Sequence, residues 1–122
     1  MSQISNNRQN GKYDLEERCL RFAKRVNVYV NKLLKTISNI ENGRQLVRSA
    51  GSIGANYIEA NESLSKKDFL MRVKISKKEA RESEFWLELS EPSKEFENEK
   101  GGLLQEALEL RKILGAILEK SK

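Results

Sequence analysis

Residues 14–34 read DLEERCLRFAKRVNVYVNKLL, and their spacing decides the fold. Leu15, Cys19, Phe22, Val26, Tyr29 or Val30 and Leu33, continuing to Ile37, recur at steps of three and four. That rhythm keeps one stripe of an α-helix apolar. Asp14 with Glu17 three residues later is a capping-box pattern that starts such a helix. The spacing predicts a first helix over about residues 15–34, on the order of 30 Å long.

Downstream, the polar stretch 38–43 contains Asn39, Asn42 and Gly43, which is turn chemistry. A second helix then carries Leu46, Ala50, Ile53, Tyr57, Ala60 and Leu64 on one face, flanked by Val47, Gly51, Gly54 and Ile58. Glycine inside a helix costs about 1 kcal/mol relative to alanine, so Gly51 and Gly54 need a compensating reason. Close approach of a neighbouring helix supplies one, and a break in the helix is the rival reading. Ser65 with Asp68 opens a third helix that runs to about Ser90, where Pro92 disfavours continuation. The acidic stretch 91–102 ends in Gly101-Gly102 and reads as a loop. A last helix places Leu103, Ala107, Leu110, Leu114 and Ile117 on one stripe, with Lys112 and Lys120 towards its negative end. Four amphipathic helices with short connections predict an all-α, antiparallel up-and-down four-helix bundle. The domain is expected over residues 13–122, after a Ser-, Asn- and Gln-rich disordered tail over residues 1–12.

Composition narrows the chemistry. The chain has 122 residues, 34% of them charged, and a formal net charge of +5; that is room for one modest core. Histidine is absent and Cys19 is the sole cysteine. The usual general base near neutral pH and the commonest metal ligand are therefore missing, and no intramolecular disulfide can form. Cys19 lies on the apolar stripe and reads as a buried structural thiol. Neither a catalytic centre nor a metal or other cofactor site is expected. No apolar run approaches the roughly 20 residues a membrane span needs, and no signal peptide is visible, so the expected compartment is the cytoplasm.

Two surface patterns stand out. Arg18, Arg21, Lys24, Arg25, Lys32 and Lys35 form a run of cations without an intervening acid, placed away from the apolar stripe. Such a stripe can neutralise phosphates along RNA or DNA; alternatively it is a solvated face paired with acids of another helix or subunit. No aromatic residue interleaves with the cations, so binding through them would be sequence-tolerant. A second cluster (Lys66, Lys67, Arg72, Lys74, Lys77, Lys78 and Arg81) is mixed with acids such as Glu82 at helical neighbour spacing, and reads as surface pairing. The third helix also carries a second apolar stripe, Met71, Ile75, Trp86 and Leu89, roughly opposite Phe69, Val73, Ala80 and Leu87. A monomeric bundle needs one buried stripe per helix, so the second predicts self-association, with Trp86 as an anchor; otherwise Trp86 completes a wide core.

The run Gly51-Ser52-Ile53-Gly54-Ala55-Asn56-Tyr57-Ile58-Glu59-Ala60-Asn61-Glu62, then Lys67-Asp68-Phe69-Leu70, Lys78-Glu79-Ala80-Arg81-Glu82-Ser83 and Trp86-Leu87, resembles the bacterial four-helix-bundle proteins encoded in intervening sequences of large-subunit ribosomal RNA genes. The resemblance covers about residues 13–118. It implies a protomer that assembles into a homo-oligomeric ring, commonly a homopentamer, with no established enzymatic activity. It also implies kinship with accessory proteins of diversity-generating retroelements, which bind nucleic acid and a reverse transcriptase through basic surfaces. No catalytic residue carries over from the family. The leading expectation is a non-enzymatic homo-oligomeric bundle that binds nucleic acid non-specifically; the alternative is a protein adaptor with no nucleic-acid role.

Overall fold

The computed structural model describes residues 12–122. The expected tail, residues 1–12, falls outside that range except for Lys12, which opens the first helix. The helices are α1 (Lys12–Asn31), α2 (Ile37–Asn61), α3 (Lys66–Leu89) and α4 (Glu97–Ser121), with a 3₁₀ turn at Lys94–Phe96. There is no strand among the described residues. Contacts run α1–α2, α2–α3, α3–α4 and α4–α1, so each helix touches its two neighbours around a shared core, as in a four-helix bundle.

The apolar stripes read from the sequence form that core, except that Ile37, which opens α2, and Leu64, which lies beyond it, are exposed. Cys19, Phe22, Val26 and Tyr29 from α1 meet Leu46, Ala50 and Ile53 from α2. Val73, Ala80 and Leu87 from α3 and Leu103, Ala107, Leu110 and Leu114 from α4 close it. Burying each of the larger of these side chains contributes about 1.5–3 kcal/mol, which outweighs the helices' modest intrinsic propensities. Leu118, rather than Ile117, completes the α4 stripe in the buried set. Small residues let α2 and α3 pack closely. Ser76 Oγ donates to the Ile53 carbonyl across the seam at 2.7 Å, and Ser49 and Ser83 share a hydroxyl hydrogen bond of 2.8 Å.

Several boundaries differ from expectation, each for a local reason. Asp14 does not cap α1 but lies in its first turn, where a carboxylate still suits the positive helix end. α1 stops at Asn31, tightened by bonds from Lys32 N to Tyr29 O and Leu33 N to Val30 O. The turn expected at 38–43 is helical, because Thr36 caps α2 by accepting from the Asn39 amide at 3.1 Å. The Asn39 side chain is buried and fully used: it donates to the Leu34 and Glu91 carbonyls and accepts from the Glu91 amide, all at 3.1 Å. It thereby ties the α1–α2 connection to the α3–α4 connection. Gly43 also serves packing rather than turning, since a Cβ there would stand 3.0 Å from Val30 Cγ1. α2 is unbroken through Gly51 and Gly54. The Ser65 cap of α3 is present, accepting from Asp68 N at 3.1 Å.

The loop expected at 91–102 shrinks to a short connection. Glu97 and Glu99 occupy the first turn of α4, and Gly101 and Gly102 lie inside the helix. At Gly102 a Cβ would meet Arg25 Nη2 at 3.2 Å, so the glycine admits a guanidinium. Lys100 Nζ donates to the Ser90 carbonyl at 2.9 Å and the Glu88 carbonyl at 3.2 Å, satisfying acceptors left open where α3 ends.

Candidate nucleic-acid interface

The helical register turns the α1 cations outward, but the bundle divides them. Arg18 forks onto Glu106 of α4 at 2.7 and 2.9 Å and reaches Glu109 at 2.5 Å. The hydrogen bond to Glu106 holds the Arg18 guanidinium firmly protonated, against the opposing effect of burial. Arg25 bridges to Glu99 of α4 at 3.3 and 3.4 Å. These two residues pin α1 to α4 and match the reading in which the stripe pairs with acids of another helix. Arg21 lies 3.9 Å from Glu17 on its own helix. Lys24, Lys32 and Lys35 face solvent with no carboxylate within 4.0 Å among the described residues, Lys32 and Lys35 standing beyond the end of α1. The stripe is thus a partly neutralised seam with exposed cations at its C-terminal end.

The second cluster is less neutralised than its sequence suggests. Lys78 pairs loosely with Glu82 at 4.0 Å. Arg81 and Arg111 share Glu84, at 3.6 and 2.5 Å, and the hydrogen bond to Glu84 raises the Arg111 pKa further. Lys74 and Lys77 have no acidic partner among the described residues. Together Lys74, Lys77, Lys78, Arg81 and Arg111 line a groove of about 340 Å³ between α3 and α4. Sequence reasoning missed this grouping because Arg111 comes from another helix. The steps of three and four from Lys74 through Lys77 and Lys78 to Arg81 were the available signal.

The second apolar stripe of α3 is also divided. Met71 and Leu89 are exposed, Ile75 is half-buried, and Trp86 packs against the core. The Trp86 indole Nε1 is enclosed without a hydrogen-bond partner among the described residues. Phe85, which the sequence reading passed over, is 55% exposed and stacks edge-on against Trp86 at 5.0 Å. With Leu104, Arg81 and the acids Glu82, Glu84 and Glu88, this pair lines a cavity of about 330 Å³. At the same end of the bundle a cleft of about 370 Å³ lies between α1 and α2. Its walls include Leu33, Leu34, Ile40 and Val47, and its cations are Lys35 and Arg44.

Cys19 is fully buried, as its place on the stripe implied. Burial pushes its pKa up to about 12, the charges of Glu106 and Glu16 adding and Arg18 opposing. A neutral, enclosed thiol is a poor nucleophile. No described helix is long and apolar enough to cross a membrane.

Residues 12–116 match the family model described as 23S rRNA-intervening sequence protein. Among solved structures, a protein of unknown function from the S23 ribosomal protein family of Bacteroides thetaiotaomicron VPI-5482 is similar. It is 27% identical, covers 88% of this chain and 97% of its own, and superposes with a TM-score of 0.74. No curated protein matches the sequence.

Proposed function

The chain belongs to the 23S rRNA-intervening sequence protein family, and from that premise we propose a non-enzymatic, homo-oligomeric four-helix-bundle protein that binds RNA or DNA non-specifically through its basic surfaces. One observation carries the nucleic-acid part. Lys24, Lys32, Lys35, Lys74 and Lys77 project cations that no acid of the described residues neutralises. Unpaired, solvent-facing ammonium groups on a chain of net charge +5 attract phosphate without selecting a sequence. Neither the α1 stripe nor the α3–α4 groove offers an aromatic platform for a base, which fits tolerance of any sequence.

The self-association part rests on two unlike faces. Around the bundle, the α1–α2 cleft and the Phe85–Trp86 cavity, which is distinct from the basic α3–α4 groove, lie on opposite sides, because one joins α1 to α2 and the other α3 to α4. At one end, the first presents apolar residues with Lys35 and Arg44, and the second presents Phe85 and Trp86 with Glu82 and Glu88. Apolar surface flanked by cations on one side and acids on the other suits a head-to-tail contact between copies. Contacts of that kind close into rings when the rotation permits.

The test is size-exclusion chromatography with light scattering, with and without a structured RNA, at low and moderate salt. The expected result is a ring-sized particle that takes up RNA at low salt and releases it as salt rises. A ring that ignores RNA would favour the protein-adaptor reading, and a clean monomer would remove the head-to-tail contact. Phe85→Asp should dissociate the particle while leaving helix content unchanged, because Phe85 is largely outside the core.

A further inference from the structure

The α3–α4 groove lies on the opposite side of α3 from its α2 contacts, and its composition is one-sided. Its lining is Lys74, Lys77, Lys78, Arg81 and Arg111, with no apolar, aromatic or acidic residue among them. On α3 the cations follow one another at steps of three and four, so Lys74 to Arg81 spans about 10 Å of helix. In a duplex each strand advances about 3.4 Å of axis per phosphate, and a single strand spaces its phosphates farther apart along the backbone, so that span reaches about two phosphates. Arg111 forms the opposite wall and is held by Glu84, which also contacts Arg81. One carboxylate therefore positions both guanidiniums while neutralising the equivalent of a single charge. Gly115 of α4 lies beside the end of Lys77: a Cβ there would come 3.6 Å from Lys77 Cε and 3.7 Å from its Nζ.

From this geometry we infer that the α3–α4 groove is the principal phosphate-binding site, taking the backbone of a single nucleic-acid strand, and that the α1 stripe is secondary. The inference rests on the nucleic-acid reading above and deepens it by naming the site. A strand backbone fits better than an acidic peptide, because the cations repeat along α3 at steps of three and four, as a run of phosphates requires, and no apolar or aromatic side chain among the lining residues offers a pocket for a peptide anchor. The α1 cations compete poorly, since Arg18 and Arg25 are already engaged by Glu106, Glu109 and Glu99.

The experiment measures binding of a fluorescein-labelled, mixed-sequence 24-nucleotide single-stranded RNA by anisotropy between 50 and 200 mM salt. Each phosphate contact to a single strand adds about 0.7 to the slope of log affinity against log salt. Lys74→Gln/Lys77→Gln/Lys78→Gln should therefore lower the slope by about 2 and the affinity at 0.1 M by roughly 100-fold. Gly115→Glu is the independent variant: it removes no cation, its Cβ meets only ordinary contacts, and it sets a carboxylate beside Lys77. It should weaken binding, whereas Gly115→Ala should not. Lys24→Gln/Lys32→Gln/Lys35→Gln should have the smaller effect.

If only the α1 set abolishes binding, the groove assignment is overturned while the nucleic-acid reading stands. If the unaltered protein fails to bind the RNA at 50 mM salt, the nucleic-acid reading falls and takes the groove with it. Binding of a labelled poly-glutamate peptide in the groove, with no RNA binding, would likewise replace the strand by an acidic protein partner. Circular dichroism on each variant shows whether the bundle is intact.

Discussion

Gly51 and Gly54 sit one turn apart in the interior of α2, so alanine at either gains the same intrinsic helix propensity, about 1 kcal/mol. Their surroundings differ. Gly51 is exposed and a Cβ there meets nothing within 4 Å, whereas a Cβ at Gly54 would stand 3.1 Å from Cys19 Cβ. That neighbour is the root of a side chain and cannot rotate away, so α1 itself must yield. Overpacking of this kind costs typically 1–3 kcal/mol. Gly51→Ala should therefore stabilise the protein by about 1 kcal/mol, or about 4 °C in melting temperature. Gly54→Ala should lie about 1–3 kcal/mol below it, ending neutral to destabilising. Urea titration followed by circular dichroism gives both values on one scale. The contact also predicts its own rescue: Cys19→Ala retains the Cβ and leaves the Gly54→Ala cost unchanged, while Cys19→Gly abolishes it. If Gly54→Ala stabilises as much as Gly51→Ala, close helix approach is not why this glycine stands there.

Other consequences follow from buried groups. Because burial raises the Cys19 pKa to about 12, the folded thiol stays neutral while the unfolded one ionises from about pH 8.5. Its stabilising contribution is complete below that pH and is lost as pH climbs towards 12, by an amount on the order of a few kcal/mol. Tyr29 and Tyr57, both raised chiefly by burial, act in the same direction. Urea midpoints at pH 8 and pH 10.5, with Cys19→Ala for comparison, read the thiol's share; an unchanged difference between the two proteins would contradict it. Asn39→Ala removes three hydrogen bonds, two of which join the α1–α2 and α3–α4 connections, and should cost about 2–4 kcal/mol, seen as a lower urea midpoint. Trp86→Phe should be tolerated within about 1 kcal/mol, because it deletes an indole N–H that has no partner among the described residues and keeps most of the apolar volume; a larger loss in thermal unfolding would mean the N–H is satisfied.

The fold was largely legible because each helix announces its buried stripe at steps of three and four. Phe22, Val26 and Tyr29, or Leu103, Ala107 and Leu110, could be assigned without knowing their partners. The errors gather where one residue type has two uses. Asn39, Gly43, Gly101 and Gly102 carry turn chemistry in isolation, yet here the amide bridges two connections and Gly43 and Gly102 admit Val30 and Arg25. Such uses depend on residues from other helices or connections, and local propensity contains no record of them. The charged surfaces were legible only in part for the same reason. Counting Arg18 and Arg25 as available cations ignores Glu106, Glu109 and Glu99, while treating Lys74 and Lys77 as ordinary surface pairs overlooks that no acid among the described residues reaches them.

That division of charges bears on how salt experiments should be interpreted. The α1–α4 seam is crossed by the pairs of Arg18 and Arg25, all partly exposed, and added salt screens them along with any phosphate contact. A fall in RNA binding could then reflect a loosened bundle. The packing argues otherwise, because Leu15, Cys19, Phe22, Val26 and Tyr29 attach α1 to the core through apolar burial, which salt does not screen. Surface ion pairs contribute little by comparison. Helix content and urea midpoint should therefore change little between 50 and 200 mM salt, while RNA affinity falls steeply. Parallel measurement of both, in the same buffers, separates the two. A midpoint that fell together with RNA affinity would mean that the seam, rather than the groove, is what salt is reading.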